Sequence, residues 1–168
     1  EWLQMGGNSL TVSLIGKIFP HTVIFTIVAF LYAVALYGFN SFPLNSGWLP
    51  MLSALFLLVM ASQAVGIFMI GVLPTFRLGL SSACLFGMIA FSIVGFSFPV
   101  LGMDPTLQAL SNLFPLRHYF LIYVDQALNG RPFFYSWAEY AWLMGFLVLP
   151  FLIGKNLKNA LLYFKYIP

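Results

Sequence analysis

The sequence has few charged residues, and this scarcity excludes most classes of soluble protein. Only 7% of the 168 residues are charged, whereas 61% are hydrophobic. Soluble domains average about 25% charged residues, and one core of this size cannot bury so much apolar surface. Disorder is excluded as well, because it requires low hydrophobicity and high charge. The composition therefore predicts an all-α integral membrane protein that crosses the bilayer several times.

Motifs for binding metals, nucleotides and nucleic acids are also missing. The single cysteine, Cys84, excludes an internal disulfide and a cysteine-based zinc site. The Gly-Lys pairs at residues 16–17 and 154–155 lack the flanking residues of a phosphate-binding loop. The seven Lys and Arg residues are scattered and form no basic patch for nucleic acid. We expect no catalytic residue, no metal and no directly bound cofactor.

Three runs without charge mark the segments that can cross a membrane. They extend from Ile18 to Phe76, from Leu78 to Met103 and from Tyr140 to Gly154. A crossing helix needs about 20 apolar residues, and the Asn, Ser, Pro and Gly cluster at residues 40–47 divides the first run with a turn. We predict four spans, at residues 18–39, 49–73, 78–101 and 137–153. The last begins with Ser136 and Glu139 in the pattern of a capping box.

Basic residues predict the orientation of these spans. With four crossings, both termini lie on the same side as Lys17, Arg77, Lys155, Lys158 and Lys165, whereas only Arg117 and Arg131 lie on the other. Basic residues concentrate on the cytoplasmic side. We therefore expect a multi-pass protein of the cell membrane with residues 1–17 and 154–168 in the cytoplasm.

Residues 104–130, called segment 104–130 below, are apolar but carry Arg117, His118 and Asp125. Each charge at a bilayer centre costs about 2.5–3.5 kcal/mol on insertion scales, so a fifth span is unfavourable. Asp104-Pro105 is a typical helix start, Pro115 breaks the helix, and Asn129-Gly130 is a typical stop. The pattern predicts two short helices in an outward-facing re-entrant hairpin, whose polar groups require protein or water around them.

Two further patterns allow more than one interpretation. Gly79, Ala83, Gly87 and Gly95 are small residues on the third span that let helices approach closely, within one protomer or between subunits. His118 and Asp125 are spaced to share a helical face, which favours a solvated outer surface or a polar gate.

Short motifs in the chain resemble the type-2 family of ATP-binding-cassette exporter permeases. The stretch from Leu14 to Pro20 is similar to the family's entry into a span. The stretch from Leu113 to Tyr119 is similar to its proline-centred motif, which follows Met103-Asp104-Pro105 and precedes Asn129-Gly130 and the final span. The resemblance covers nearly the whole chain and corresponds to the family's C-terminal part, without its first two spans.

The resemblance implies a non-catalytic membrane subunit of an ATP-driven exporter. A separate ATPase would bind the cytoplasmic loop, with Asn8, Ser9, Gly16 and Lys17 as coupling residues. A second permease copy, identical or related, would complete the path for a hydrophobic or amphipathic cargo among membrane lipids. The outer gate would comprise a set of residues in segment 104–130: Asp104, Pro115, Arg117, His118, Asp125 and Gly130.

Other classes of function stay open at this point. A secondary transporter or channel normally carries ionisable residues inside its spans, and the predicted spans have none at mid-depth. A membrane-surface enzyme could use His118 and Asp125. A pure assembly or anchor subunit needs no chemical motif at all.

Overall fold

The computed structural model describes residues 10–73, 75–95 and 99–153, and every regular element in these ranges is helical, as the composition predicts. The three longer helices are α1 (Leu10–Ala33), α2 (Trp48–Val72) and α3 (Phe76–Ile93). A π-helical turn, Val34–Phe39, extends α1. A 3₁₀ turn, Val100–Gly102, leads to four shorter helices: α4 (Pro105–Ser111), α5 (Pro115–Ile122) with a π-helical extension (Tyr123–Leu128), α6 (Phe133–Phe146) and α7 (Leu149–Leu152).

Two helices in the described part of the chain are long and apolar enough to cross a membrane. They are Val12–Phe39 and Trp48–Val72, and Arg77–Ile93 is a shorter apolar helix. Only 6% and 17% of the most apolar stretch of the two long helices is buried. Such exposure is unlike that of a soluble protein's core helix and suits a lipid environment. The arrangement with four spans stays a prediction.

The first helix begins earlier than the predicted span. It already covers residues 10–17, ahead of Ile18, and therefore includes Gly16 and Lys17. Pro20 lies inside it and removes one backbone hydrogen bond, which membrane helices tolerate. The Thr22 hydroxyl donates to the Ile18 carbonyl oxygen at 3.1 Å.

The third helix ends earlier than predicted, at Ile93 rather than at Leu101. Gly95 follows with φ +119°, a conformation that only glycine adopts readily. This residue ends the helix, which makes the helical part of the third predicted span shorter than expected.

The last predicted span is divided into two helices. α6 ends at Phe146, and two 3₁₀-type bonds, from Leu147 to Met144 and from Val148 to Gly145, lead into α7. The break is explained by Pro150, which has no N–H and whose ring would clash with the carbonyl of Phe146 in a continuous helix.

The predicted capping box at Ser136 and Glu139 is wrong. α6 begins three residues before Ser136, at Phe133, and Ser136 is fully buried inside it. The aromatic run Phe133-Phe134-Tyr135 forms the first turn of the helix, and Pro132 precedes it as the N-cap residue. Glu139 is therefore not in the first turn of the helix, and its side chain can contact another helix.

The core forms around α2, which contacts α1, α3, α5, α6 and α7. Its small residues Ala54 and Ala61 are fully buried and allow neighbouring helices to approach closely. Ile122 of α5 and Leu143 of α6 pack against them and are also fully buried. A second, smaller cluster joins the end of α3 to the start of α5 through Ala90, Val94 and Phe114.

Truncation of Leu143 should therefore destabilise the fold. Leu→Ala in a packed core costs about 2–5 kcal/mol. We expect Leu143→Ala to lie at the lower end, about 2 kcal/mol, since lipid is as apolar as the protein interior and only the packing term remains. Met144→Ala is the matched control, because the Met144 side chain is 58% exposed. Unfolding in detergent micelles checks both variants, and equal stability of the two would contradict this packing.

Candidate functional site

In segment 104–130 the helices begin at the residues predicted from the sequence. Asp104 is the N-cap of α4, and its Oδ1 accepts the Thr106 N–H at 2.9 Å. This hydrogen bond lowers the pKa of the exposed Asp104 carboxyl. Pro115 is the first residue of α5 and separates it from α4. Two short helices were predicted here and are confirmed, whereas their re-entrant relation to a membrane stays a prediction.

The end of the segment is fixed to the loop between α1 and α2. Gly130 has φ +63°, which fits its predicted role as a stop signal. The Asn45 side-chain amide donates to the Leu128 carbonyl oxygen at 2.8 Å, and the Asn45 N–H donates to that of Ala127 at 3.1 Å. A side chain at Gly130 would meet Asn45. The loop 40–47 therefore closes over the end of the segment.

His118 lies inside the protein, not on the solvated outer face that its spacing to Asp125 favoured. Its side chain is 2% exposed. Nδ1 lies 2.6 Å from Oε2 of Glu139 on α6, and Nε2 lies 2.9 Å from the backbone oxygen of Asn112. One imidazole thus bridges α6 and the turn between α4 and α5.

Two aromatic residues of α6 complete the surroundings of His118. The Trp142 ring stacks on the imidazole, with centroids 5.6 Å apart and planes 15° apart, and the Phe146 ring lies 5.9 Å away. Glu139, Trp142 and Phe146 are three and four residues apart, so they share one face of α6. That face packs against α5.

Arg117 joins segment 104–130 to the end of α3. Its Nη1 donates to the Val94 carbonyl oxygen at 2.9 Å. Val94 caps α3, where helix carbonyls lack partners and basic side chains bind favourably. Gly95 lies close by, and a side chain there would meet Phe120, Val100 and Arg117.

Asp125 does not contact His118. Its carboxylate pairs instead with Arg131 at 3.1 Å, near the protein surface. An enzyme site built from His118 and Asp125 is therefore not assembled, and residues 10–73, 75–95 and 99–153 contain no group of residues able to hold a metal ion.

The four small residues of the predicted packing stripe have different surroundings. Gly79 is buried against Ile70 of α2, whereas Gly87 is exposed and has no atom near the position of a side chain. Ala83 is half-buried. Gly95 lies beyond the helix. Gly79 and Gly95 thus pack against other parts of this chain, whereas Gly87 has open space beside it.

The predicted coupling residues lie near the start of the described chain. Asn8 and Ser9 are outside the described residues. Gly16 and Lys17 are exposed on α1, and the Lys17 carbonyl oxygen is 3.0 Å from His21 Nδ1.

Sequence patterns missed Glu139 and Trp142 as partners of His118. A signal was present, since Glu139 is the acidic residue immediately before the last charge-free run, and a carboxylate next to a membrane span requires a partner. The capping-box pattern assigned Glu139 to the helix start and concealed this requirement.

Comparison with known proteins gave one match. A family model described as ABC-2 family transporter protein matches residues 1–154. No curated protein and no solved structure matches the chain significantly. The family match includes every residue that the structure describes.

The different surroundings of Gly79 and Gly87 give a matched pair of variants. A Cβ at Gly79 would lie 3.3 Å from Ile70 Cγ1 and 3.4 Å from its Cα, whereas nothing lies within 4 Å at Gly87. We expect Gly79→Leu to cost about 1–3 kcal/mol through overpacking. Gly87→Leu should be neutral or stabilising, because glycine inside a helix costs about 0.5–1 kcal/mol. Thermal unfolding in detergent checks the pair, and a larger loss at Gly87 would contradict the α2–α3 packing.

Proposed function

Because the chain belongs to the ABC-2 family of transporter proteins, we propose that it is the membrane-spanning permease subunit of an ATP-driven exporter. The observation that carries this proposal is the family match over residues 1–154. It confirms the resemblance inferred from the sequence motifs and identifies the chain as a membrane transport permease. Members of this family are typically the non-catalytic membrane component, and membership implies association with an ATP-binding-cassette ATPase. We propose export as the direction of transport.

The proposed transport path runs between two permease copies, and ATP is used only by the partner ATPase. Closure of the ATPases moves the packed helices as rigid bodies between inward-open and outward-open states. In our proposal residues 1–17, including Asn8, Ser9, Gly16 and Lys17, transmit this movement from the cytoplasmic side. The exposed positions of Gly16 and Lys17 on α1 support this assignment.

An apolar groove between α1 and α2 supports a hydrophobic or amphipathic cargo. It has a volume of about 490 Å³ and is lined by Phe25, Val28 and Tyr32 of α1 and by Leu55, Val59 and Gln63 of α2. Ser62 also lines it, and the Thr22 hydroxyl donates to the Gln63 side-chain oxygen at 2.7 Å. A surface of this composition suits acyl chains or rings better than charged solutes.

Segment 104–130 forms the proposed outer gate. Its residues Asp104, Pro115 and Gly130 define its two helices and their ends. Arg117 and His118 attach it to α3 and α6. In this arrangement the gate opens only when these polar contacts separate or when α6 moves with it.

The coupling assignment predicts the effect of a bulky residue at Gly16. Gly16 has open space around the position of a side chain, so Gly16→Trp should leave the fold intact. If the ATPase docks there, its recovery with the permease from mild detergent should fall about tenfold, a loss of about 1.4 kcal/mol.

Gly102→Trp is the matched control, because Gly102 is also exposed and has open space around it, at the predicted outer side. Mass spectrometry of the captured proteins checks both variants. Recovery of an ATP-binding-cassette ATPase that is reduced by Gly102→Trp and unaffected by Gly16→Trp would contradict the coupling assignment. Failure to recover any such ATPase with the wild-type chain would contradict the proposed subunit role.

A further inference from the structure

The contacts of His118 determine how many protons it shares with Glu139. The backbone oxygen of Asn112, 2.9 Å from Nε2, can only accept a hydrogen bond. Nε2 must therefore carry a proton. In a neutral imidazole with its proton on Nε2, Nδ1 has only a lone pair.

The short contact with Glu139 then requires a second proton. Nδ1 and Oε2 are 2.6 Å apart, a distance typical of a charge-assisted hydrogen bond. The proton between them lies either on Nδ1, which gives an imidazolium and a carboxylate, or on Oε2, which gives a neutral imidazole and a carboxylic acid. Both forms hold one proton more than a neutral histidine and an ionised glutamate.

We infer that His118 and Glu139 form a proton-binding site that holds α6 against α5 and the turn at Asn112. Loss of the proton leaves the imidazole with one N–H opposite two acceptor atoms, Oε2 of Glu139 and the backbone oxygen of Asn112. One of the two hydrogen bonds must then be replaced by repulsion between lone pairs. The protonated site joins the two helices, and the deprotonated site loosens them.

The surroundings allow the site to exchange its proton from one side. His118 is 2% exposed, whereas the Glu139 side chain is 23% exposed. The proton therefore enters and leaves through the carboxyl group of Glu139. The Trp142 ring stacked on the imidazole favours a positive charge there.

The neighbouring titratable groups are few and mostly engaged. Arg117 interacts electrostatically with Glu139, and its Nη1 donates to the Val94 carbonyl oxygen. α2 carries no titratable side chain, and α3 carries Arg77 and Cys84, away from the cluster at Ala90 and Val94 that packs on α5. The other groups on the packed elements have their own contacts: Tyr140 with Pro50 and Gln126, Asp125 with Arg131, and Tyr119 with Tyr37. Asp104 caps α4, and Tyr123 and Tyr135 complete the titratable side chains of these elements.

For transport, this inference rests on the proposed function. If segment 104–130 is the outer gate, the protonated pair keeps the gate attached to α6, and loss of the proton makes the gate easier to open. The proton site itself depends only on the positions of the three groups.

The experiment is nitrogen NMR of the whole chain in lipid nanodiscs, with labelled histidine and with His118→Asn to identify the signals of His118 against those of His21. The structure predicts a proton on Nε2 at neutral pH, together with a proton on Nδ1 or a strong hydrogen bond to it. A neutral imidazole with its proton on Nδ1 and none on Nε2 would overturn the inference. This measurement decides the question on the wild-type protein, and His118→Asn serves only to identify the signals.

Glu139→Gln tests the proton count from a second direction. The glutamine amide can donate to Nδ1, so the shared proton is no longer required and His118 should carry its proton on Nε2 alone. The Nδ1 signal expected for the wild type should be lost, whereas Asp125→Asn should retain it. Persistence of that Nδ1 signal in Glu139→Gln would contradict the shared proton. The result is independent of whether an ATPase is recovered with the chain, so failure of the proton site and failure of the proposed function are distinguishable.

Discussion

The contact of His118 with Glu139 and with the Asn112 carbonyl is the interaction on which the arrangement of the last helices depends. Only 7% of the residues are charged, so the surroundings of a buried side chain are mostly apolar. An unpaired charge in apolar surroundings is costly. Each of the two ionisable groups is acceptable there because the other is present. Their pairing determines which face of α6 turns toward α5, and it places Trp142 and Phe146 on the same side.

Around this contact the remaining polar groups connect elements that are distant in sequence. Arg117 reaches Val94 at the end of α3, Asn45 reaches the end of segment 104–130, and the Tyr140 hydroxyl donates toward the Pro50 carbonyl oxygen at 3.0 Å. The apolar helices supply packing, but packing among similar side chains defines position weakly in lipid. These polar contacts hold segment 104–130 against α3, α6 and the loop 40–47.

Local signals in the sequence predicted local structure well. The all-helical class, the turn at residues 40–47, the cap at Asp104 and the break at Pro115 each depend on a few neighbouring residues. The family also followed from short motifs, such as the proline-centred stretch from Leu113 to Tyr119, and was confirmed by the match over residues 1–154.

The sequence-based predictions that failed are those in which tertiary contacts determine the structure. Glu139 fits a capping box, but its contact with His118 is available only once α5 and α6 are packed, and α6 starts earlier. Gly79 and Gly87 have identical spacing signals and opposite surroundings, because only Gly79 faces α2. The spacing of Gly95 predicted a fourth small residue on the same face of α3 as Gly79 and Gly87, whereas its positive φ ends the helix. Periodicity indicates which residues share a face and not what that face meets.

In the proposed topology, segment 104–130 lies outside the cell membrane and the N-terminal end of α1 lies inside. Thiol labelling of intact cells tests this topology, in a Cys84→Ser background that removes the single native cysteine. Asn129 and Lys17 are both exposed, so Asn129→Cys and Lys17→Cys are comparable probes. We expect a membrane-impermeant maleimide to label the Asn129→Cys protein in intact cells and the Lys17→Cys protein only after permeabilisation. Labelling of both from outside, or the reverse pattern, would contradict it.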